Sequence, residues 1–132
     1  MTSLTLTSRR LPGASVIAVG GEVDATTVGQ FEDFIRETCP APGKRLVLDL
    51  SGMPFLASTG LRVLISADAL LRDNGGSLHL AGMRPSPARL LEITGTAEVL
   101  RIHETVDHAL TAPVTEEEPP LDPELVDGSA PA

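Results

Sequence analysis

The sequence predicts an α/β sandwich, a mixed central sheet of about five strands with about four helices mainly on one face. Three observations carry this. Apolar stretches of period two, or continuously apolar, recur around residues 4–10, 16–19, 45–50, 77–82 and 99–102, as strands require. Between them lie segments whose apolar residues fall three and four apart, the period of a helix resting on a sheet. Gly, Pro and Asn clusters punctuate the two kinds of segment, giving the order β-β-α-β-α-β-α-β-α.

Leu4-Thr5-Leu6-Thr7 alternates as a half-buried edge strand does, and Pro12-Gly13 turns it back into Val16-Ile17-Ala18-Val19, which runs into Gly20-Gly21. Asp24 is placed to cap a helix starting near Ala25, whose buried stripe is Val28, Phe31 and Ile35 with Phe34 beside it. Pro40 to Gly43 ends that helix in a loop. Arg45 to Leu50 is nearly continuous in apolar character, suits a strand covered on both faces, and is expected to break at Ser51-Gly52. The longest helical pattern runs from Leu61 to Arg72, with Leu61, Leu64, Ile65, Ala67 and Leu71 on a wide apolar face that Val63 and Leu70 extend. Arg62, Ser66 and Asp73 lie opposite, and Asn74-Gly75-Gly76 stops the helix. A strand over 77–82, a short helix over 85–93, a last strand over 99–102 and a closing helix over 104–110 complete the order.

The 132 residues amount to a single domain. The net charge is −8, but residues 113–132 hold six of the 18 carboxylates and none of the ten cations, leaving 1–112 at only −2. That stretch has five prolines and few large apolar residues. It cannot bury enough surface to offset its ordering entropy, so 1–112 reads as the folded domain and 113–132 as an acidic, Pro-rich disordered tail. Arg9-Arg10 and Lys44-Arg45 are the nearest approach to a basic patch, and an aromatic fraction of 2% offers no stacking platform, so a nucleic-acid partner is disfavoured. No apolar run is long enough to span a membrane, and the first residues do not read as a secretory leader. With Cys39 as the single cysteine, a reducing compartment, most simply the cytoplasm, is expected.

Enzyme readings lack machinery. There is no phosphate-binding Gly-rich loop with its lysine, no nucleophile elbow and no dinucleotide fingerprint around Gly20-Gly21. His79, mid-strand, reads as structural, and His103 and His108 flank Asp107 without a further ligand cluster, so neither a metal nor a cofactor is expected.

The informative segment is Asp49-Leu50-Ser51-Gly52-Met53-Pro54-Phe55-Leu56-Ala57-Ser58-Thr59-Gly60-Leu61-Arg62-Val63-Leu64. Ser58 or Thr59 falls where a helix N-cap belongs, and a capping hydroxyl is worth about 1 kcal/mol. The alternative is a switch. A phosphate on Ser58 would add a charge of about −1.5 to −2 at the positive end of a helix, which the fold tolerates and a partner docked there does not.

This segment resembles the signature of the STAS domain, specifically the stand-alone bacterial anti-sigma factor antagonists. Ser58 matches the phosphorylated serine, Thr59 the second hydroxyl, and Gly60-Leu61 the helix entry. Gly21-Glu22-Val23-Asp24 resembles the family's first loop, which places Asp24 near Ser58. The resemblance implies a STAS-type sandwich over about residues 4–110. It also implies a partner: an anti-sigma factor that is itself a serine kinase with a histidine-kinase-like ATPase fold. Unphosphorylated, the chain binds that kinase and frees a sigma factor for transcription; phosphorylation releases it, and a serine phosphatase resets it. The implied partner surface is the loop from Gly21 to Thr26, the loop from Phe55 to Gly60 and the outer side of the next helix. Its candidate residues are Asp24, Thr26, Phe55, Leu56, Ala57, Thr59, Gly60 and Arg62, with Ser66 and Asp73 further along. The sequence departs from the family at Ala57, where an aspartate is usual. Alternatives are a constitutive scaffold, bound without phosphorylation, and a module responsive to a small molecule or lipid held near Asp24 and Ser58.

Overall fold

Five strands form one mixed sheet in the order β1-β2-β3-β4-β5, in a computed structural model that describes residues 3–39 and 43–112. The loop expected at 40–42 and the tail expected over 113–132 lie outside the described residues. The strands are β1 (Leu4–Leu11), β2 (Ala14–Val23), β3 (Arg45–Leu56), β4 (Ser77–Ala81) and β5 (Arg101–His103). β1 pairs antiparallel with β2 through the Pro12-Gly13 turn, and the remaining neighbours are parallel.

The helices are α1 (Val28–Thr38), α2 (Ser58–Asp73), α3 (Pro85–Thr94) and α4 (Val106–Thr111), with a 3-10 turn at Thr96–Glu98 before β5. From β2 onward the sheet grows in one direction, and parallel crossovers are almost always right-handed, so α1, α2 and α3 fall on one face. Their inward residues Phe31, Ile35, Leu64, Leu71 and Leu91 pack with Ile17, Leu46, Leu48, Leu50 and Leu80 of the strands in one buried cluster. α4 follows the last strand and covers the other face, where Ala109, Val106 and Leu110 meet Val16, Val47 and Ala81. The continuous apolar run 46–50 is thereby explained: β3 is central and buried on both faces.

Four expectations need correction. β3 does not break at Ser51-Gly52 but continues to Leu56. Gly20 pairs with Gly52 at a register shift, and the backbones approach so closely that a Cβ on Gly52 would lie 3.1 Å from the Val19 carbonyl oxygen. Two adjacent bulges thus carry the pairing past the glycines and re-aim the strand ends. α1 starts at Val28 rather than near Ala25, because Asp24 to Thr27 forms a turn closed by the Asp24 carbonyl, which accepts from the Val28 amide at 2.9 Å. The last strand is Arg101–His103, since residues 96–98 wind into the 3-10 turn. On α2, Ile65 and Leu70 are exposed at 39% and 41%, and the buried face instead takes in Asp68.

Candidate functional site

The residues singled out in the sequence converge on the end of the sheet where β2 and β3 finish. Val23 pairs with Leu56, and the Ala57 amide donates to the Val23 carbonyl at 2.9 Å, so the chain leaves both strands side by side. Asp24 and Ser58 therefore start neighbouring turns. The Asp24 carboxylate organises the first of these: its Oδ1 accepts from the Thr26 amide at 2.9 Å and the Thr26 hydroxyl at 2.7 Å. The Thr27 hydroxyl receives the Asp24 amide at 3.0 Å and donates to the Glu22 carbonyl at 2.8 Å. Asp24 is thus a turn residue, and α1 has no side-chain cap.

The second turn launches α2. Ala57, not Ser58 or Thr59, takes the N-cap position, and its methyl group cannot accept a hydrogen bond, so α2 also lacks a side-chain cap. Ser58 is the first helical residue; both it and Thr59 are exposed. The capping role expected for their hydroxyls is therefore vacant, and the Ser58 hydroxyl stands at the positive end of a 16-residue helix. Gly60 is required for this placement. A Cβ there would lie 2.5 Å from Leu56 Cδ1 and 2.6 Å from Val23 Cγ1, so only glycine lets the helix start sit directly on the strand ends.

Leu56 is only 4% exposed, so it supports the loop from beneath and is not part of its surface. Phe55 beside it is 44% exposed. Arg62 and Ser66, one and two turns along α2, join Thr59 and Val63 on the wall of a shallow depression of about 230 Å³, closed on its α1 side by Val28 and Glu32. It continues into a larger, mostly apolar groove of about 390 Å³ between α1 and α2, floored by Ile35, Val63, Ala67 and Leu70. Asp73 does not belong to this site, since it ends α2 about 22 Å along the axis from Ser58. Sequence reasoning missed the α1 contribution; the half-buried edge of its amphipathic stripe, Val28 with Glu32 one turn on, was the available signal.

A STAS domain family profile matches residues 5–109. The chain belongs to the STAS domain family. It is 30% identical over 109 residues to the anti-sigma-F factor antagonist RsfB of Mycobacterium tuberculosis, which covers 83% of this chain and 88% of that protein. It is 27% identical over 88 residues to the anti-sigma-B factor antagonist of Staphylococcus aureus, covering 67% of this chain and 82% of that one. The crystal structure of an anti-sigma factor antagonist from Mycobacterium paratuberculosis superposes with a TM-score of 0.75 at 32% identity, covering 83% of this chain and 93% of that one.

The opposite face of this STAS domain carries a polar layer under α4, away from Ser58. Ser77 Oγ lies 2.9 Å from His79 Nε2, and His79 Nδ1 lies 2.9 Å from His103 Nε2. His79 is 1% exposed, and burial, with Arg45, His103 and Arg101 nearby, pushes its pKa down to about 3. Burial and the same arginines also lower His103. His79 is therefore a neutral, hydrogen-bonded structural residue, as expected. Arg45 donates to the Ala109 carbonyl and, at 2.8 Å, to the Ala112 carbonyl, fastening the last turn of α4. On the helical face, Asp68 is buried with its carboxyl pKa raised by desolvation, against the pull of Arg72, whose Nε lies 3.1 Å from Asp68 Oδ2. Among the described residues no cluster of three or more His, Cys, Asp or Glu is placed to hold a metal, and no helix is long and apolar enough to cross a membrane.

Proposed function

We propose that this chain is an anti-sigma factor antagonist controlled at Ser58. Unphosphorylated, it binds an anti-sigma factor through the turn at Asp24–Thr26, the Phe55–Gly60 segment and the α2 wall around Arg62 and Ser66. That binding withdraws the anti-sigma factor from its sigma factor and permits transcription. The anti-sigma factor is a serine kinase with a histidine-kinase-like ATPase fold; it moves the γ-phosphoryl group of ATP to Ser58 Oγ, and a serine phosphatase removes it. The chain is substrate and ligand in this cycle, not enzyme, and its place is the cytoplasm.

One observation carries the reading. Ser58 is an exposed hydroxyl at the first position of α2, with no side chain capping that helix. A phosphate there gains from the helix end and the open amides, so the domain has no reason to refold. It also sets a charge of about −1.5 to −2 next to Thr59, at the α2 start from which Thr59 and Arg62 wall the shallow depression, where a docked apolar or acidic surface is repelled. The similarity to RsfB and to the antagonist from M. paratuberculosis supports the choice of partner class.

The test is phosphosite mapping. The protein and its Ser58→Ala variant are incubated with ATP, Mg²⁺ and soluble lysate of the native host, then read by intact mass and peptide fragmentation. A phosphate confined to Ser58 and absent from the variant is expected. No phosphate on Ser58, with the host kinases active on a control substrate, would refute the switch and leave a constitutive binding module, Ala57 being the residue at which to look for the reason.

A further inference from the structure

Two pairs of cations far apart in sequence, Arg9-Arg10 and Lys44-Arg45, lie at the same end of the sheet, the end opposite Ser58. In the β1–β2 hairpin Arg10 pairs with Ser15 and Arg9 with Val16, just before the turn. The Arg45 amide donates to the Gly13 carbonyl of that turn at 3.1 Å, and Ala14 pairs with Arg45, so Lys44 and Arg45 enter the sheet beside it. Arg9, Arg10 and Lys44 are exposed. Asp73 is at this end too, on the helical side, where the Gly43 amide donates to the carbonyl of the adjacent Asn74 at 2.9 Å. On the other side, α4 packs over β3, β4 and β5. Beyond it, on β1 and β2, Thr5, Thr7, Arg9 and Ala18 stay exposed.

The chain leaves the described domain at this same place. Arg45 holds the Ala112 carbonyl at 2.8 Å. Twenty residues follow, carrying Glu116, Glu117, Glu118, Asp122, Glu124 and Asp127 and no Lys or Arg. Glu116 is four residues beyond Ala112, at most about 14 Å of extended chain. The most acidic stretch of the protein thus starts beside a group of exposed cations at the hairpin end.

We propose that residues 113–132 dock on this end of their own domain, their carboxylates on Arg9, Arg10 and Lys44. Exposed ion pairs are individually weak, and tethering makes them sufficient, because a short linker raises the local concentration of the tail to the millimolar range. The contact is electrostatic and therefore sensitive to salt. It also keeps the six carboxylates at the end of the sheet remote from Ser58.

The test uses the full chain, labelled with ¹⁵N, beside a full-length variant in which the tail is neutralised (E116Q, E117Q, E118Q, D122N, E124Q and D127N). In about 0.01 M salt the two spectra are expected to differ at the backbone amides of Arg9, Arg10, Leu11, Gly13 and Lys44. Those differences are expected to vanish at about 1 M, where the screening length falls from about 30 Å to about 3 Å. Reciprocally, R9Q/R10Q/K44Q in the full chain is expected to move the tail amides. Unchanged core amides, such as those of Leu48 and Leu80, report that each variant keeps its fold. Differences confined to the tail itself would overturn the proposal, as would differences falling around Arg36 and Arg62 in the α1–α2 groove. Differences that grow with protein concentration would assign the contact to a second copy and overturn it equally.

Discussion

Replacing Ala57 by aspartate tests the start of α2 and hence the setting of Ser58. Ala57 has φ −83° and ψ 164°, the extended conformation of a cap residue, yet no side chain caps the helix. Its carbonyl already accepts from the Gly60 amide at 2.9 Å and the Leu61 amide at 3.1 Å, so the amide of Thr59 is the one a carboxylate at 57 would take. Gaining such a cap is worth about 1 kcal/mol. The negative charge at the helix N-terminus adds about 0.5 kcal/mol, and screened repulsion from Asp24 in the adjoining turn removes a similar amount. The net expectation for Ala57→Asp is about 1 kcal/mol of added stability, or a rise in melting temperature of about 4 °C. Circular dichroism melts of the parent, Ala57→Asp and Ala57→Asn at pH 7 measure it. The asparagine variant supplies the cap without the charge, so the difference between the two variants reads the balance of helix dipole against Asp24. The gain from aspartate should fade as pH drops and the carboxylate protonates, whereas that from asparagine should not. If both variants melt at or below the parent temperature, α2 does not start from residue 57 and the geometry argued for Ser58 is wrong.

Other outcomes follow from the same contacts. Gly60→Ala forces a methyl group against Leu56 and Val23 and should cost about 1–3 kcal/mol in denaturant melts despite the better helix propensity of alanine. His79 is neutral in the folded state, with a pKa near 3 against 6.5 unfolded, so the unfolded chain binds the extra proton between those values. Stability should therefore fall as pH drops from about 6.5 towards 3, at up to about 1.4 kcal/mol per unit, and His79→Leu should flatten that slope while lowering stability at pH 7. Arg45→Gln removes the charged donor to the Ala109 and Ala112 carbonyls and should cost about 2 kcal/mol, with hydrogen exchange speeding first in α4. In binding assays with an anti-sigma factor of the proposed partner class, Ser58→Asp should weaken the complex and Ser58→Ala should keep it; equal binding of both would refute the switch.

The element order and the core stripes were legible because burial imposes a period on the sequence: Phe31 and Ile35 on α1, Leu64 and Leu71 on α2, and the double-faced run of β3 all pack as their spacing requires. What misled was local punctuation. Ser51-Gly52 looks like a stop, but Gly52 lies against Gly20, and two glycines facing each other mark a close, bulged pairing that only the partner strand reveals. Ser58 and Thr59 look like caps, but the position is decided by where the Ala57 amide bonds back to Val23, a contact distant in sequence. The spacing of Asp68 and Arg72, four apart on one helix, was legible as an ion pair, but it did not show that the carboxylate end of that pair would be buried. Of the candidate site, Asp24, Thr26, Phe55, Ala57, Ser58, Thr59, Gly60 and Arg62 gather at one end of the sheet, whereas Leu56 serves beneath the surface.

The corrected placement of Ser58 sharpens how the proposed switch would act. Had Ser58 been the cap, phosphorylating it would remove a hydroxyl that holds the helix together, and stability would be set against signal. At the first helical position, with Ala57 contributing nothing, the hydroxyl owes no hydrogen bond to the fold and the modification leaves packing untouched. Beneath it the helix is seated on Val23 and Leu56 through Gly60, so the added charge has a rigid base. The consequence is an opposite sign in two measurements: a phosphate on Ser58 should raise the melting temperature, by the helix-terminus effect of about 0.3–1 kcal/mol, while lowering affinity for the partner. A loss of stability together with a loss of binding would mean that the switch works by unfolding the start of α2, and the rigid-platform account would fall.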